Sequence, residues 1–378
     1  MNDRLKHAAV ASRAPAHIRG ISPYQPGKPI SELAREMGLA EADIVKLASN
    51  ENPLGMSEAA RTAAAAALED LARYPDGNGF ELKAALSARL GVGLDQIVLG
   101  NGSNDILELA ARALLEPGAS AVYAQYAFAV YPLATNATGA RGIEVAARDY
   151  GHDLDAMAAA ITPDTRIVFI ANPNNPTGTF LPGAAIEAFL ARVPADVLVV
   201  LDEAYTEYLD AEQRYDSIAW IARFPNLLVS RTFSKAYGLA GLRVGYGVGH
   251  PAVVDLLNRV RQPFNVSSVA LAAATAALGD EDFLASSAEL NRSGMRQFTD
   301  AFADLGLEWI ASAGNFVAVR VGDAAAVNRA LLRQGVIVRP VAGYGMPEWL
   351  RISIGLPDEN ARCIAALRVA LTETRSAG

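Results

Sequence analysis

Lysine is nearly absent from this chain. Only Lys6, Lys28, Lys46, Lys83 and Lys235 break a usage in which arginine supplies the rest of 33 basic residues. Cysteine is scarcer still. Cys363 stands alone, which excludes an intrachain disulfide, and within "NARCIAALRVAL" it reads as a small buried hydrophobe on an amphipathic helix. The four histidines, His7, His17, His152 and His250, are scattered, and neither HExxH nor CxxC occurs, so no metal site is expected. No apolar run approaches the ~20 residues of a membrane span, and "MNDRLKHAAVASRAPAHIRG" lacks the apolar core of a secretory signal. There is no long Lys/Arg block, and the net charge is −8, a poor balance for binding nucleic acid. A cofactor-binding regulator with an attached DNA-binding module is disfavoured by the short arm and the net charge of −8. The expectation is a soluble cytoplasmic protein in a reducing compartment.

What is present is a large core. Of 378 residues, 51% are hydrophobic and 20% charged, which excludes global disorder. Residues 1–45 read as an arm, with the irregular "RGISPYQPGKPI" followed by a short helix, "SELAREMG". Two helices follow: "SEAARTAAAAALEDLARY", capped by Ser57, and "FELKAALSARLG", closed by Gly91. Beyond them, short apolar runs alternate with helical segments. "QIVLG", "SAVYA", "RIVFIAN", "VLVVLDE" and "NLLVSRT" are the strands of a largely parallel sheet covered on both faces. The pattern changes where "RQPFNVSSVA" interrupts a helix. Residues 46–265 are therefore expected to form a large domain and 266–378 a small α+β domain.

The lone lysine of the last three-quarters of the chain sits in "SRTFSKAYGLAGLRVGY". A lysine amine can lose its proton when desolvated and attack a carbonyl to form a Schiff base, which a guanidinium cannot. Lys235 follows one strand candidate, Asp202 ends a second, and Asn172–Asn175 end a third. Ligands in open α/β sheets bind outside the carboxyl ends of strands, so these residues are expected in one crevice. In "IVLGNGSNDILELAARALL" a strand and a glycine turn lead into a helix start. There Gly102, Ser103 and Asn104 offer free N–H groups to a phosphate. A lysine for an imine, a carboxylate for a pyridinium nitrogen and a phosphate cradle are the parts pyridoxal phosphate requires. Ser103, Ser234 and Arg243 are the expected phosphate ligands, Asp202 the partner of the ring nitrogen, and Lys235 the covalent anchor and proton carrier.

The run "TFSKAYGLAG" resembles the class-II pyridoxal-phosphate aminotransferase signature. "ANPNNPTG", "LDEAY" and "GLRVGY" match the wider fold-type I pattern in the same order, and "LASNENPLG", "RYPD" and "NGSND" resemble its histidinol-phosphate aminotransferase branch. The resemblance implies a large domain with a mostly parallel seven-stranded sheet and a small C-terminal domain. It implies that Asn175 and Tyr205 bond the cofactor's phenolic oxygen, that Thr232 joins the cofactor site, and that Tyr126 stacks on the ring. Tyr74 would reach the cofactor phosphate of a neighbouring subunit, making a homodimer with shared sites. Tyr24, Arg339 and Arg351, with Asn175, would bind the substrate. The implied reaction is amine transfer from L-histidinol phosphate to 2-oxoglutarate. An aromatic amino acid aminotransferase on phenylalanine or tyrosine remains open, as does, further off, a decarboxylase of related fold.

Overall fold

A computed structural model describes residues 9–376; Lys6 and His7 lie outside them. Thirteen strands occur among these residues. Seven make one sheet: β2 (Ile97–Gly100), β3 (Ser120–Ala124), β4 (Arg141–Val145), β5 (Thr165–Ala171), β6 (Leu198–Asp202), β7 (Leu227–Thr232) and β8 (Gly245–Gly249). Their spatial order is β2-β8-β7-β6-β5-β3-β4, and only β8 runs antiparallel to its neighbours. The strands alternate strictly between two cores. Val168, Ile170, Val199 and Leu201 enter one, while Ile167, Phe169, Leu198 and Val200 enter the other. Both faces are thus covered, which is why these strands read as continuous apolar runs.

The helix Glu58–Ala67 begins at the expected cap, where Ser57 Oγ accepts from the Ala60 N–H at 3.2 Å. The helix Phe80–Leu90 ends on Gly91 in a left-handed conformation (φ 68°), as its C-terminal glycine predicts.

The C-terminal part holds a four-stranded antiparallel sheet of β9 (Trp309–Ile310), β10 (Phe316–Arg320), β12 (Arg339–Pro340) and β13 (Trp349–Ser353), in the order β12-β13-β10-β9. The helices Glu281–Asp304 and Ala324–Arg333 and the C-terminal helix close its core around Phe298, Phe302, Val317, Leu331, Leu350 and Leu367. Val45 and Leu47 belong to this same core, and β1 (Val45–Lys46) pairs with β11 (Val336–Ile337). The N-terminal segment is therefore stitched to the C-terminal unit. A boundary at residue 265 cuts off one helix of the large core. Ser268–Ala277 packs Ala270, Ala273, Ala274 and Ala277 among Ala60, Leu82 and Val248. The long helix that follows it carries the chain into the smaller unit.

Candidate active site

Parallel strands deliver their carboxyl ends to one edge of the sheet. Ala171 ends β5, Asp202 ends β6 and Thr232 ends β7, with Ala171 in register with Asp202 and Asp202 with Ser230. The loops beyond them bring Asn175, Tyr205, Ser234 and Lys235 to a single cavity. Ser103 and Asn104 enter it from the helix Ser103–Leu114, Arg243 from the turn before β8, and Arg351 from β13. Tyr24 and Arg339 line its rim.

Part of the cavity is an anion cradle. Arg243 Nη1 donates to Ser234 Oγ at 3.2 Å, and the Ser234 N–H donates to Thr232 Oγ1 at 3.1 Å. Gly102, at φ 77°, precedes the helix; any Cβ there would strike the Arg243 guanidinium. A helix N-terminus, a hydroxyl and a guanidinium on one spot suit a phosphate.

Asp202 lines the cavity as well. Tyr131, fully buried and stacked on Phe169 with ring centroids 4.8 Å apart, donates its hydroxyl to Asp202 Oδ2 at 2.9 Å. The second oxygen, Oδ1, is buried without a hydrogen-bond partner. Burial pushes the Asp202 carboxyl up to about 6, against the lowering effect of Tyr131. The adjoining Glu203 is neutralised separately, by Arg231 at 2.8 Å. A buried acceptor left without a partner in a cavity suits a hydrogen-bond donor on a ligand, and a carboxylate favours a cationic one.

Lys235 lines the same cavity. Its Nζ donates to Ser49 O at 3.2 Å and sits 5.8 Å from the centre of the Tyr205 ring. Burial, and then the charge of Arg351, bring the amine down to about 8. The Tyr205 phenol is pushed up to about 12 by burial, with Arg351 and a hydrogen bond from Asn50 Nδ2 (2.9 Å) pulling the other way. Arg351 is buried. Its Nη1 donates to Asn175 Oδ1 at 2.6 Å, its Nη2 to Ala48 O at 2.7 Å, and it lies over the Phe316 ring. Arg339 packs over the Tyr24 ring at 5.6 Å and donates to Gln25 O at 2.7 Å.

Two expected residues lie elsewhere. Tyr126 turns away in a left-handed conformation (φ 59°), and its ring packs toward Tyr150 and the Val341–Trp349 cluster. Phe128, two residues on, lines the cavity instead. Tyr74 is 83% exposed and stacks on Phe264, outside the cavity of its own chain. Sequence reasoning missed Phe128, Asn50, Tyr131 and Tyr344. Asn50 lies inside "LASNENPLG", where no sequence signal marks which asparagine faces inward. Among the described residues no cluster suited to a metal ion occurs, and no helix is long and apolar enough to cross a membrane.

Comparison with known proteins places these features in a family. The model of "Aminotransferase class I and II" matches residues 42–367. Histidinol-phosphate aminotransferase 1 of Cupriavidus pinatubonensis is 70% identical over 98% of this chain and 100% of its own length. Histidinol-phosphate aminotransferase 2 of Ralstonia nicotianae is 69% identical over 96% of this chain and 98% of its own. Among solved structures, the histidinol-phosphate aminotransferase of Sinorhizobium meliloti in complex with pyridoxal-5'-phosphate superposes with a TM-score of 0.88. It is 30% identical, over 96% of this chain and 98% of that one.

Proposed function

We propose that this chain, which belongs to the class I and II aminotransferase family, is a pyridoxal-phosphate-dependent histidinol-phosphate aminotransferase that passes the amine to 2-oxoglutarate. The observation that carries this reading is one cavity lined together by Asp202 with its unpartnered Oδ1, by the Ser103–Ser234–Arg243 cradle and by Lys235, whose amine burial brings down to about 8. Those groups fit the cofactor: an acceptor for its ring N–H, donors for its phosphate and an amine for its carbonyl.

When bound, pyridoxal phosphate supplies a carbonyl that exchanges amines and a ring that accepts electrons from the substrate's α-carbon. Lys235 Nζ would hold it, and once released would take the proton from the substrate carbon and return it. An amine near 8 is in the range where both acts are accessible at neutral pH. Asp202 would hold the ring nitrogen protonated, with Tyr131 fixing the carboxylate's orientation. Tyr205 and Asn175 would face the phenolic oxygen, and Phe128, in place of Tyr126, would pack against the ring. Gly102, Ser103, Asn104, Thr232, Ser234 and Arg243 would make up the phosphate end. Arg351, with Arg339 and Tyr24 at the rim, would hold the substrate's anionic group.

A homodimer with shared sites is part of the proposal. Leu68, Leu71, Tyr74, Phe80 and Phe264 are all exposed. An apolar surface of this kind suits burial against a second copy, with Tyr74 reaching the partner's cradle. A cytoplasmic setting is supported by the single, buried cysteine.

A half-reaction screen tests the substrate. Holoenzyme is mixed separately with histidinol phosphate, histidine, phenylalanine and tyrosine, and the loss of the cofactor's visible absorbance is followed. Fastest turnover with histidinol phosphate is expected. Preference for phenylalanine or tyrosine would replace the substrate and leave the cofactor and family standing.

A further inference from the structure

Asn50 occupies a position that a side chain rarely takes. Its φ is 54°, in the left-handed region, which asparagine tolerates better than most residues. The surrounding structure holds it there. Asn315 Nδ2 donates to the Asn50 carbonyl at 3.0 Å, and the Asn50 N–H donates to Ser353 Oγ at 2.8 Å. Asn50 is 1% exposed and Ser353 3% exposed.

Ser353 Oγ accepts from the Asn50 N–H and donates its own proton to Asn50 Oδ1 at 3.0 Å. Asn50 Nδ2 faces Tyr205, whose hydroxyl oxygen accepts it at 2.9 Å. With its oxygen receiving, Tyr205's own proton points onward, and among the described residues no protein group accepts it. Ser353 lies two residues from Arg351 on β13, so the chain of bonds begins on the strand that carries the buried arginine.

We propose that Asn50 is a positioning residue, held by Ser353, that compels Tyr205 to spend its proton on the cofactor's phenolic oxygen. The inference rests on the reading of Tyr205 given above. A donor at that oxygen stabilises negative charge there. The proton on the nitrogen joining the cofactor to the chain is then held less tightly, and the visible absorbance titrates at a lower pH. Without Asn50's amide the Tyr205 hydroxyl is free to rotate and its donation weakens, so the midpoint rises.

The test is a pH titration of the bound cofactor's visible absorbance in full-length holoenzyme. Asn50→Gly is the informative variant, since glycine accepts the left-handed backbone and removes only the amide. Tyr205→Phe should raise the midpoint. Asn50→Gly should raise it by roughly half a unit to one unit, the size that one hydrogen bond carries. Ser353→Ala should move it less, in the same direction. The double variant Asn50→Gly/Tyr205→Phe should titrate with Tyr205→Phe alone. If Tyr205→Phe shifts the midpoint while Asn50→Gly and Ser353→Ala stay with the wild type, the inference fails and the Tyr205 reading survives. If the double variant shifts beyond Tyr205→Phe, Asn50 acts by another route and the inference fails. If Tyr205→Phe itself leaves the midpoint unmoved, both are overturned.

Discussion

Asp202 is buried with one carboxyl oxygen unpartnered, and that has a measurable consequence. Its carboxyl titrates at about 6 when folded and at 3.8 ordinarily, chiefly through burial. The folded state thus binds the proton more tightly than the unfolded one. The stability linked to that proton is full below pH 4 and lost as pH rises through 6. The shift corresponds to about 3 kcal/mol, as an order of magnitude. Cofactor-free Asp202→Asn should therefore melt above cofactor-free wild type at pH 8, and the advantage should vanish near pH 4. Loading the cofactor should reverse the order at pH 8, because only the carboxylate can pair with a cationic ring nitrogen. Calorimetry at the two pH values decides it; a difference between the proteins that ignores pH would contradict the assignment. Lys235 was legible in the sequence because it is the one lysine in the last three-quarters of a chain that otherwise uses arginine there. Tyr131 and Asn50 were not, since a tyrosine on an apolar helix and an asparagine before a proline turn show no partner until the chain is folded.

At the scale of elements, strands β2, β3, β5, β6 and β7 announced themselves as β-branched apolar runs, and the residues ending β5, β6 and β7 met as their sheet positions required. Strand β8 did not, because "GYGVG" has the composition of a loop. The reason for its glycines is steric. A Cβ on Gly245 would lie 2.5 Å from the Ser103 nitrogen and 2.9 Å from the Arg231 carbonyl oxygen. The strand must therefore be bare where the cradle's helix begins. Strand β4 escaped notice for the opposite reason: at one edge of the sheet, its residues are largely exposed or half-exposed, unlike those of β2 at the other edge. Gly245→Ala should push the helix start away from Arg243 and weaken cofactor binding by roughly tenfold or more, with a stability loss of roughly 1–3 kcal/mol. Equilibrium titration of the cofactor-free variant with pyridoxal phosphate checks this. Wild-type affinity would mean that β8 does not set the cradle. The same scale explains Tyr126. Its left-handed backbone turns the ring toward β13's neighbourhood and leaves Phe128 facing the cavity, a rotation that no spacing rule reveals.

At the scale of the whole molecule, the site is assembled from both ends of the chain. Residues 48–50, the sheet's carboxyl edge and β13 converge on one cavity. If Tyr74 of a second copy completes it, two defective proteins should repair each other. Tyr74→Ala keeps its own lysine, and Lys235→Ala keeps its own tyrosine, so a mixed dimer holds one complete site. Mixing the two after partial denaturation should restore activity that neither shows alone. No recovery in verified mixed dimers would mean that each chain builds its site unaided. The central claim, that Lys235 is the residue the fold prepares for the cofactor, has a more direct test. Holoenzyme is reduced with borohydride, digested, and the pyridoxyl group located by peptide mapping. Lys28 is tied to Glu32 and Glu36, and Lys46 to Glu51; neither lines the cavity. The account predicts the label on Lys235 alone, in the peptide containing "TFSKAYGLAG", and a label on any other lysine would contradict it.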